Sequence, residues 1–311
     1  MSFYALMGAI SQGLVYSLMA LGVYLTFRVL DFPDLTVDGS FPLGAAVSAV
    51  LITHGVSPFL ALPVAVAAGM TAGLITGFLS TKLNILNLLA SILTMIALYS
   101  INLRIMGRPN ISLINRKTVF DLFGGLRELI GGMGIPGFVM VPFLFLGVIV
   151  VVKICLDLFL HTQLGLALRA TGDNPHMIRA QGVNTDFTIM LGVAISNGLV
   201  ALSGALFSQN QGSADVNMGV GTIVAGLASV IVGEAIIGEM TVFRATMGVV
   251  IGSVIYRLAI AIALTIKIGS LQITPSDLKL ITAILVVIAL TFPTIRSKIK
   301  LDIFRKGNNR Q

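Results

Sequence analysis

The sequence predicts an all-α integral membrane protein, a polytopic helical bundle with about nine transmembrane segments. Of its 311 residues, 56% are hydrophobic and only 11% are charged, and the mean hydropathy is +0.98. Soluble domains carry about 25% charged residues, so most of the surface of this chain must face lipid. Apolar runs of ~20 residues, the length that crosses a bilayer, recur along the whole chain.

The first apolar segment, residues 4–27, lacks the basic start and the small-residue cleavage site of a secretory signal, so it predicts a spanning helix. The remaining segments are predicted at 40–54, 58–80, 84–106, 138–160, 187–207, 221–237, 243–265 and 278–295. Segments 40–54 and 221–237 are short, and short or broken segments often mark a substrate path. A kinked or tilted ordinary helix is the alternative for both. Residues 1–295 are thus expected to form one transmembrane domain.

The charges predict the orientation of the chain in its membrane. The basic tail RSKIKLDIFRKGNNRQ, residues 296–311, holds much of the net charge of +7 and places the C-terminus in the cytoplasm. The charge is therefore not a nucleic-acid signal. Nine crossings put the N-terminus outside. The basic loop 107–137 then also falls outside, against the positive-inside rule, which leaves the count in the N-terminal half open by one.

The loop 161–186 carries the signals of a short helix between two spanning ones. Asn174 or Asp173 can cap it, Pro175 suits its first position, and Gly182 can end it. The expected apolar face holds Met177 and Ile178.

This loop resembles the coupling loop of ABC importer permeases of the branched-chain amino acid and ribose type. The resemblance lies in the motif G-x-x-x-R-A-x-G-x-N-P and in two shorter motifs after it, carried by Gly165, Arg169, Ala170, Gly172, Asn174, Pro175, Gly182, Val183, Asn184, Ser196, Gly198 and Gly204. The stretch GLVYSLMALGVYLTFRVLDFPDLTVDGSFPLGA also resembles the family's first helix and the break into its second. Its aspartates, with VGEAIIGE, are most similar to a branch linked to aromatic amino acid uptake.

The resemblance implies a fold like that of type II ABC importers and a division of labour among subunits. Two permease copies, as a homodimer, would form the path for a small polar solute such as an amino acid. Two separate ATPases would bind the coupling loop, and an extracytoplasmic binding protein or lipoprotein would deliver the solute. The ATPase contact is expected at Arg169, Gly172, Asp173, Asn174, Pro175, Met177, Arg179 and Gly182.

The chain itself is not expected to be an enzyme or to hold a cofactor. It has no G-x-x-x-x-G-K-[ST] motif, so ATP and magnesium are assigned to the partner ATPase. One cysteine and three histidines leave no Cys/His metal cluster. A stand-alone secondary transporter is an alternative, although no intramembrane carboxylate pair suggests an ion-coupling site.

The aspartates Asp31, Asp34 and Asp38 offer a second alternative, because their D-x-x-D-x-x-x-D spacing is used by membrane prenyltransferases to hold magnesium diphosphate. Such enzymes need a second acidic cluster, and the remaining acids form none. Pro33 also keeps Phe32 out of helical geometry. We expect instead that Asp34 caps a helix starting near Leu35 and that Asp38 turns inward with Ser40.

Six polar residues are candidates for the translocation path: Asp38, Ser40, Asn87, Ser91, Asn197 and Arg257. Such polar groups can equally hold helices together. Arg257, flanked by apolar residues, is expected to line the path, to pair with Asp215, or to snorkel towards an interface. Lys153 and Asp157, four residues apart, are expected to form a surface pair. Glu234 and Glu239 are expected near the coupling region or Arg244.

Overall fold

The computed structural model describes residues 3–122, 137–263, 267–268, 271–272, 283 and 287, and it is helical almost throughout. The helices are α1 (Phe3–Val23), α2 (Val37–Thr53), α3 (Pro58–Thr81), α4 (Asn87–Met106), α5 (Val119–Leu122), α6 (Gly137–His161), α7 (Gln163–Asp173), α8 (Pro175–Ala180), α9 (Thr185–Gln211), α10 (Thr222–Ile237) and α11 (Val242–Ala263). A π-helical turn, Tyr24–Val29, extends α1, and a 3₁₀ turn, Val216–Gly219, precedes α10.

Short strands complete the fold. Strand β1 (Asn110–Ser112) pairs antiparallel with β2 (Ser213–Asp215), with Ile111 opposite Ala214. Strand β3 (Lys267–Ile268) pairs in the same sense with β4 (Leu271–Gln272). The first pair ties the chain after α4 to the chain after α9, although about a hundred residues separate them in sequence.

The predicted spanning segments agree with the structure over the described part of the chain. Seven helical stretches there are long and apolar enough to cross a membrane, and α2, with 17 residues, is a shorter apolar helix. These eight correspond to the first eight predicted segments. The ninth, 278–295, and the basic tail 296–311 lie outside the described residues, apart from positions 283 and 287. The all-α membrane bundle is confirmed, and the count of nine is approximate.

The direction of the helices alternates through the bundle. Ser196 and Ser203 of α9 donate to the carbonyls of Gly22 and Val15, so α1 and α9 are antiparallel. Helix α2 runs parallel to α9, because Ser40 donates to Asn197 and Ser48, further along α2, accepts from Gln209, further along α9. We call the end of the bundle that carries α7 and α8 the loop face and the end that carries β1 and β2 the strand face. The described part of loop 107–137 lies on the strand face, opposite residues 161–186, as the alternating count predicts.

Helix α9 packs at the centre of the bundle, and glycines let its neighbours approach its main chain. A Cβ added to Gly69 or Gly73 of α3 would lie 2.4 Å from a carbonyl oxygen of α9. On the α2 side, a Cβ at Gly44 would lie 1.9 Å from the Ala201 oxygen, and one at Gly204 would lie 1.9 Å from the Phe41 oxygen. Small residues are what close helix packing in membranes requires, so these contacts fix α2, α3 and α9 as one unit.

Candidate functional site

The loop face presents α8 as a short helix with capped ends. The side chain of Asn174 accepts from the Met177 amide at 3.0 Å, and Pro175 occupies the first turn. Gly182 follows with φ +85°, a conformation that disfavours a Cβ. Asn184 then caps α9 by accepting from the Phe187 amide. The short helix predicted from the sequence is present, and Asn174, rather than Asp173, is its cap.

Most of the predicted coupling residues form one exposed surface. Its members are Asp173, Asn174, Pro175, Met177, Arg179 and Gly182. The expected apolar face needs a correction: Ile178 is buried, but the side chain of Met177 is 48% exposed. Only Ile178 points into the bundle, so Met177 belongs to the exposed surface. Gly172 instead packs against the π-helical turn that extends α1, because a Cβ added to Gly172 would lie 2.1 Å from the Val29 oxygen.

Polar contacts join α8 to two spanning helices. Arg179 donates from Nε to the Thr185 hydroxyl at 3.0 Å and from Nη2 to the Asp186 carboxylate at 3.3 Å. Lys82, at the end of α3, donates to the other oxygen of Asp186 at 2.8 Å. Asp186 therefore links Arg179 of α8 to the start of α9 and, through Lys82, to the end of α3.

A charged pocket of about 360 Å³ lies beside α7 on the loop face. Arg28 donates from Nε to Glu234 at 2.8 Å and from Nη2 to Glu239. Arg169 and Asp173 of α7 line the same pocket. The two glutamates thus lie near the coupling region, but their partner is Arg28 and not Arg244, whose Nη1 faces the Met240 sulfur. The sequence signal for this cluster was an arginine ending the first span and two acids in VGEAIIGE.

The break between α1 and α2 holds a buried network centred on Asp34. Its carboxylate accepts from the Thr36 amide at 2.9 Å and from Asn197 Nδ2 at 2.7 Å. Asn197 Oδ1 accepts in turn from the Ser40 hydroxyl at 2.6 Å. Asp34, Ser40 and Asn197 are all fully buried. Asp34 therefore caps the turn before α2, which begins at Val37 rather than near Leu35, and it binds the break to α9.

Asp38 performs a second capping role, on a helix distant in sequence. Its carboxylate accepts from the Gly221 amide at 3.0 Å, the Ile223 amide at 2.8 Å and the Thr222 hydroxyl at 2.9 Å. The two amides are among the first main-chain donors of α10, which have no partner inside that helix, and the Thr222 hydroxyl is a side-chain donor beside them. Asp38 faces protein, as expected, and its negative charge stabilises the positive end of α10.

The three aspartates therefore do not share one site. Asp31 is exposed, with φ +51°, while Asp34 and Asp38 use their oxygens for hydrogen bonds to α9 and to the start of α10. Asp34 also precedes α2, so it does not lie one helical turn below Asp38 on a common face. This arrangement separates the carboxylates that a prenyltransferase-type site would have to bring together on one metal ion.

The other candidate path residues have different surroundings. Asn87 accepts from the Ser80 hydroxyl at the turn between α3 and α4. Ser91 is buried and donates to the Leu88 carbonyl of its own helix. Arg257 lines a largely apolar cavity between α1, α10 and α11. Membership of the path stays a prediction for all six.

Two expected ion pairs differ from the structure. Lys153 and Asp157 are bonded at 2.5 Å, but both are buried, and Asp157 also accepts from the Thr246 hydroxyl of α11. The pair is thus an internal contact between α6 and α11, because Phe243 covers the Lys153 ammonium at 3.7 Å. Asp215 does not pair with Arg257. Its carboxylate caps the 3₁₀ turn by accepting from the Asn217 amide at 2.7 Å.

Comparison with known proteins identifies the family of this bundle. Residues 5–297 match the family described as branched-chain amino acid transport system / permease component. The tyrosine transport system permease protein of Clostridioides difficile (strain R20291) is 43% identical over 295 residues, which cover 95% of this chain and 93% of that protein. No solved structure matches the chain.

More distant relatives are also transport permeases. The probable branched-chain amino acid transport permease protein LivH of Methanocaldococcus jannaschii is 28% identical over 210 residues, 64% of each chain. The ribose import permease protein RbsC of Escherichia coli (strain K12) is 27% identical over 232 residues, 73% of this chain and 68% of that one. These relatives are transport components and not enzymes. The chain therefore belongs to the family of branched-chain amino acid transport system permease components.

Proposed function

We propose that this chain is the permease subunit of an ATP-driven importer and that its substrate is an amino acid with an aromatic side chain. The observation that carries the proposal is the capped, exposed helix α8, which offers a partner protein a rigid contact on the loop face. The substrate class is supported by the relative described as a tyrosine transport system permease.

The exposed surface around α8 is the contact that we assign to a separate ATPase, which would supply ATP and magnesium. Its residues are Asp173, Asn174, Pro175, Met177, Arg179 and Gly182, with Arg169 and Gly172 behind them on α7. Arg179 would pass movement of the ATPase to Thr185 and Asp186 at the start of α9. The loop face and the C-terminus would then lie in the cytoplasm of a bacterium. The chain would lie in the inner membrane as one of two permease copies.

The ion pairs of Arg28 with Glu234 and Glu239 are part of this mechanism. Arg28 joins the end of the first span to Glu234 near the end of α10 and to Glu239 in the turn after it, and these residues share a pocket with Arg169 and Asp173. Movement of α7 would therefore reach a set of ion pairs that close the bundle at the loop face. On the opposite face, β1 and β2 would receive the binding protein or lipoprotein that delivers the amino acid.

The ATPase contact can be tested with two charge substitutions of matched type. Met177→Glu places a carboxylate on the exposed surface of α8, and Ile114→Glu does the same on the strand face, where the side chain is 74% exposed. We expect Met177→Glu to reduce ATPase capture by the tagged permease and ATP-driven uptake of labelled L-tyrosine at least tenfold. Ile114→Glu should capture as much ATPase as the unchanged chain.

The yield of folded permease should be the same for both variants, because both side chains are exposed. Full ATPase capture by Met177→Glu, also when combined with Arg179→Glu, would contradict the assigned contact. Uptake of L-tyrosine by the purified chain without any ATPase would instead favour a stand-alone secondary transporter. The capture and ATP-driven uptake measurements use the chain in the membranes of its own host.

A further inference from the structure

A cavity of about 380 Å³ lies in the half of the bundle towards the strand face, between α1, the 3₁₀ turn, α10 and α11. Its walls are largely apolar, including Met218, Val220, Val224 and Ile260. Its polar lining comes from Tyr16, Asn217, Thr222 and Arg257. Pockets of roughly 300–1,000 Å³ with apolar walls and a few polar groups are typical of small-molecule sites.

Arg257 has no carboxylate partner among the described residues that surround this cavity. Across the residues that the structure describes, no acidic side chain forms an ion pair with it, and its Nε is buried without a hydrogen-bond partner. The guanidinium carbon lies instead 3.5 Å from the centre of the Tyr16 ring. A cation in a membrane bundle is costly unless it is paired, and an aromatic face satisfies it only in part.

The Tyr16 ring is held in place by other aromatic side chains. Phe41 stacks on it at 5.4 Å between ring centres, and Phe207 meets it edge-on at 5.2 Å. Close approach of α1 and α11 brings Arg257 to this ring, since a Cβ at Gly13 would lie 2.7 Å from the Val254 Cα. The guanidinium is thus positioned by a rigid support.

The nearby helix end is not available to bind an anion. The Asp38 carboxylate already accepts from the first amides of α10 and from the Thr222 hydroxyl. The positive end of α10 is therefore neutralised, which leaves Arg257 as the uncompensated donor among the described residues of the cavity. The chemistry that fits is a ligand with one carboxylate and an apolar body.

We propose that this cavity is a substrate site in which Arg257 binds the carboxylate of an amino acid while the apolar wall of Val224 and Ile260 contacts its side chain. This inference rests on the proposed function, which it deepens by naming the group that recognises the substrate. A guanidinium can donate two parallel hydrogen bonds to a carboxylate, and lysine cannot reproduce that geometry.

Phenylglyoxal, which modifies arginine, tests the site directly. We expect L-tyrosine to reduce modification of Arg257 at least tenfold in the purified full-length chain, as measured by peptide mass spectrometry. Tyramine, which has the same ring and ammonium but no carboxylate, should give no protection. Arg244, exposed at the start of the same helix, is the matched control and should react equally with and without either compound.

The same residues are tested in cells that carry the complete transporter. Arg257→Lys should reduce L-tyrosine uptake at least tenfold with an unchanged yield of folded protein, whereas Arg244→Lys should leave uptake unchanged. Equal protection of Arg257 by tyramine, or no protection in a preparation that shows ATP-driven uptake, would overturn the site and leave the proposed function standing. Protection of Arg257 by L-tyrosine in a chain that shows no ATP-dependent uptake would leave the site standing and overturn the proposed function.

Discussion

Gly44→Ala and Gly204→Ala are each expected to destabilise the folded protein strongly. The added methyl group would lie 1.9 Å from a main-chain oxygen of the facing helix, Ala201 in one case and Phe41 in the other. A main-chain atom cannot rotate away as a flexible side chain can, so α2 and α9 would have to separate. We expect a loss of about 3 kcal/mol or more in the free energy of unfolding, measured by denaturant titration in detergent.

The controls are glycines in helices where the new methyl group meets nothing. Gly8 in α1 and Gly147 in α6 have no atom within 4 Å of an added Cβ. Alanine there should leave the yield unchanged or raise it slightly, because alanine favours the helix more than glycine does. Normal yield and stability of Gly44→Ala would show that α2 and α9 do not pack as closely as described.

Asn197→Ala is expected to lower the free energy of unfolding by about 3 kcal/mol, because it removes a donor from the fully buried carboxylate of Asp34. It also leaves the Ser40 hydroxyl without its acceptor. In a background that carries Asp34→Ala, the same change should cost only about 1 kcal/mol, because no buried carboxylate is left unsatisfied.

Ser203→Ala is the control for this cycle. It removes one buried hydrogen bond, from the Ser203 hydroxyl to the Val15 carbonyl, and should cost about 1 kcal/mol in both backgrounds. Equal effects of Asn197→Ala with and without Asp34 would refute the coupling between the two side chains. Thermal unfolding monitored by circular dichroism provides a second reading of the same proteins.

Local sequence signals predicted the spanning helices and the short helix α8 well. The cap of α8, which the sequence left open between Asn174 and Asp173, depends on a neighbour within three residues, as in Asn174 to Met177. Hydropathy predicted eight of the spanning segments for a similar reason, because the hydropathy of a segment depends only on a continuous run of residues. The predicted orientation of Met177 was wrong, because a helix of six residues such as α8 can bury only a narrow face.

The polar partners could not be predicted, because they join residues far apart in sequence. Asp38 caps amides 183 and 185 residues away, and Arg28 binds Glu234 across 206 residues. The sequence around one residue of such a pair contains nothing that identifies the other residue. The buried Lys153–Asp157 pair was misplaced for a related reason: its spacing suits a helix surface, but Phe243 and Thr246 of α11 cover it.

The close packing of α9 has a mechanical consequence. With 27 residues and a rise of ~1.5 Å per residue, this helix is ~40 Å long and reaches from the capped turn at Asn184 to β2 on the far side. Glycine contacts along α2 and α3 leave no clearance for it to rotate about its own axis. We therefore expect α9 to translate or tilt as a rod together with these two neighbours. A translation of a few ångströms along the axis of α9 at Asn184 would then reach the β1–β2 ribbon undiminished, without repacking of the side chains in between.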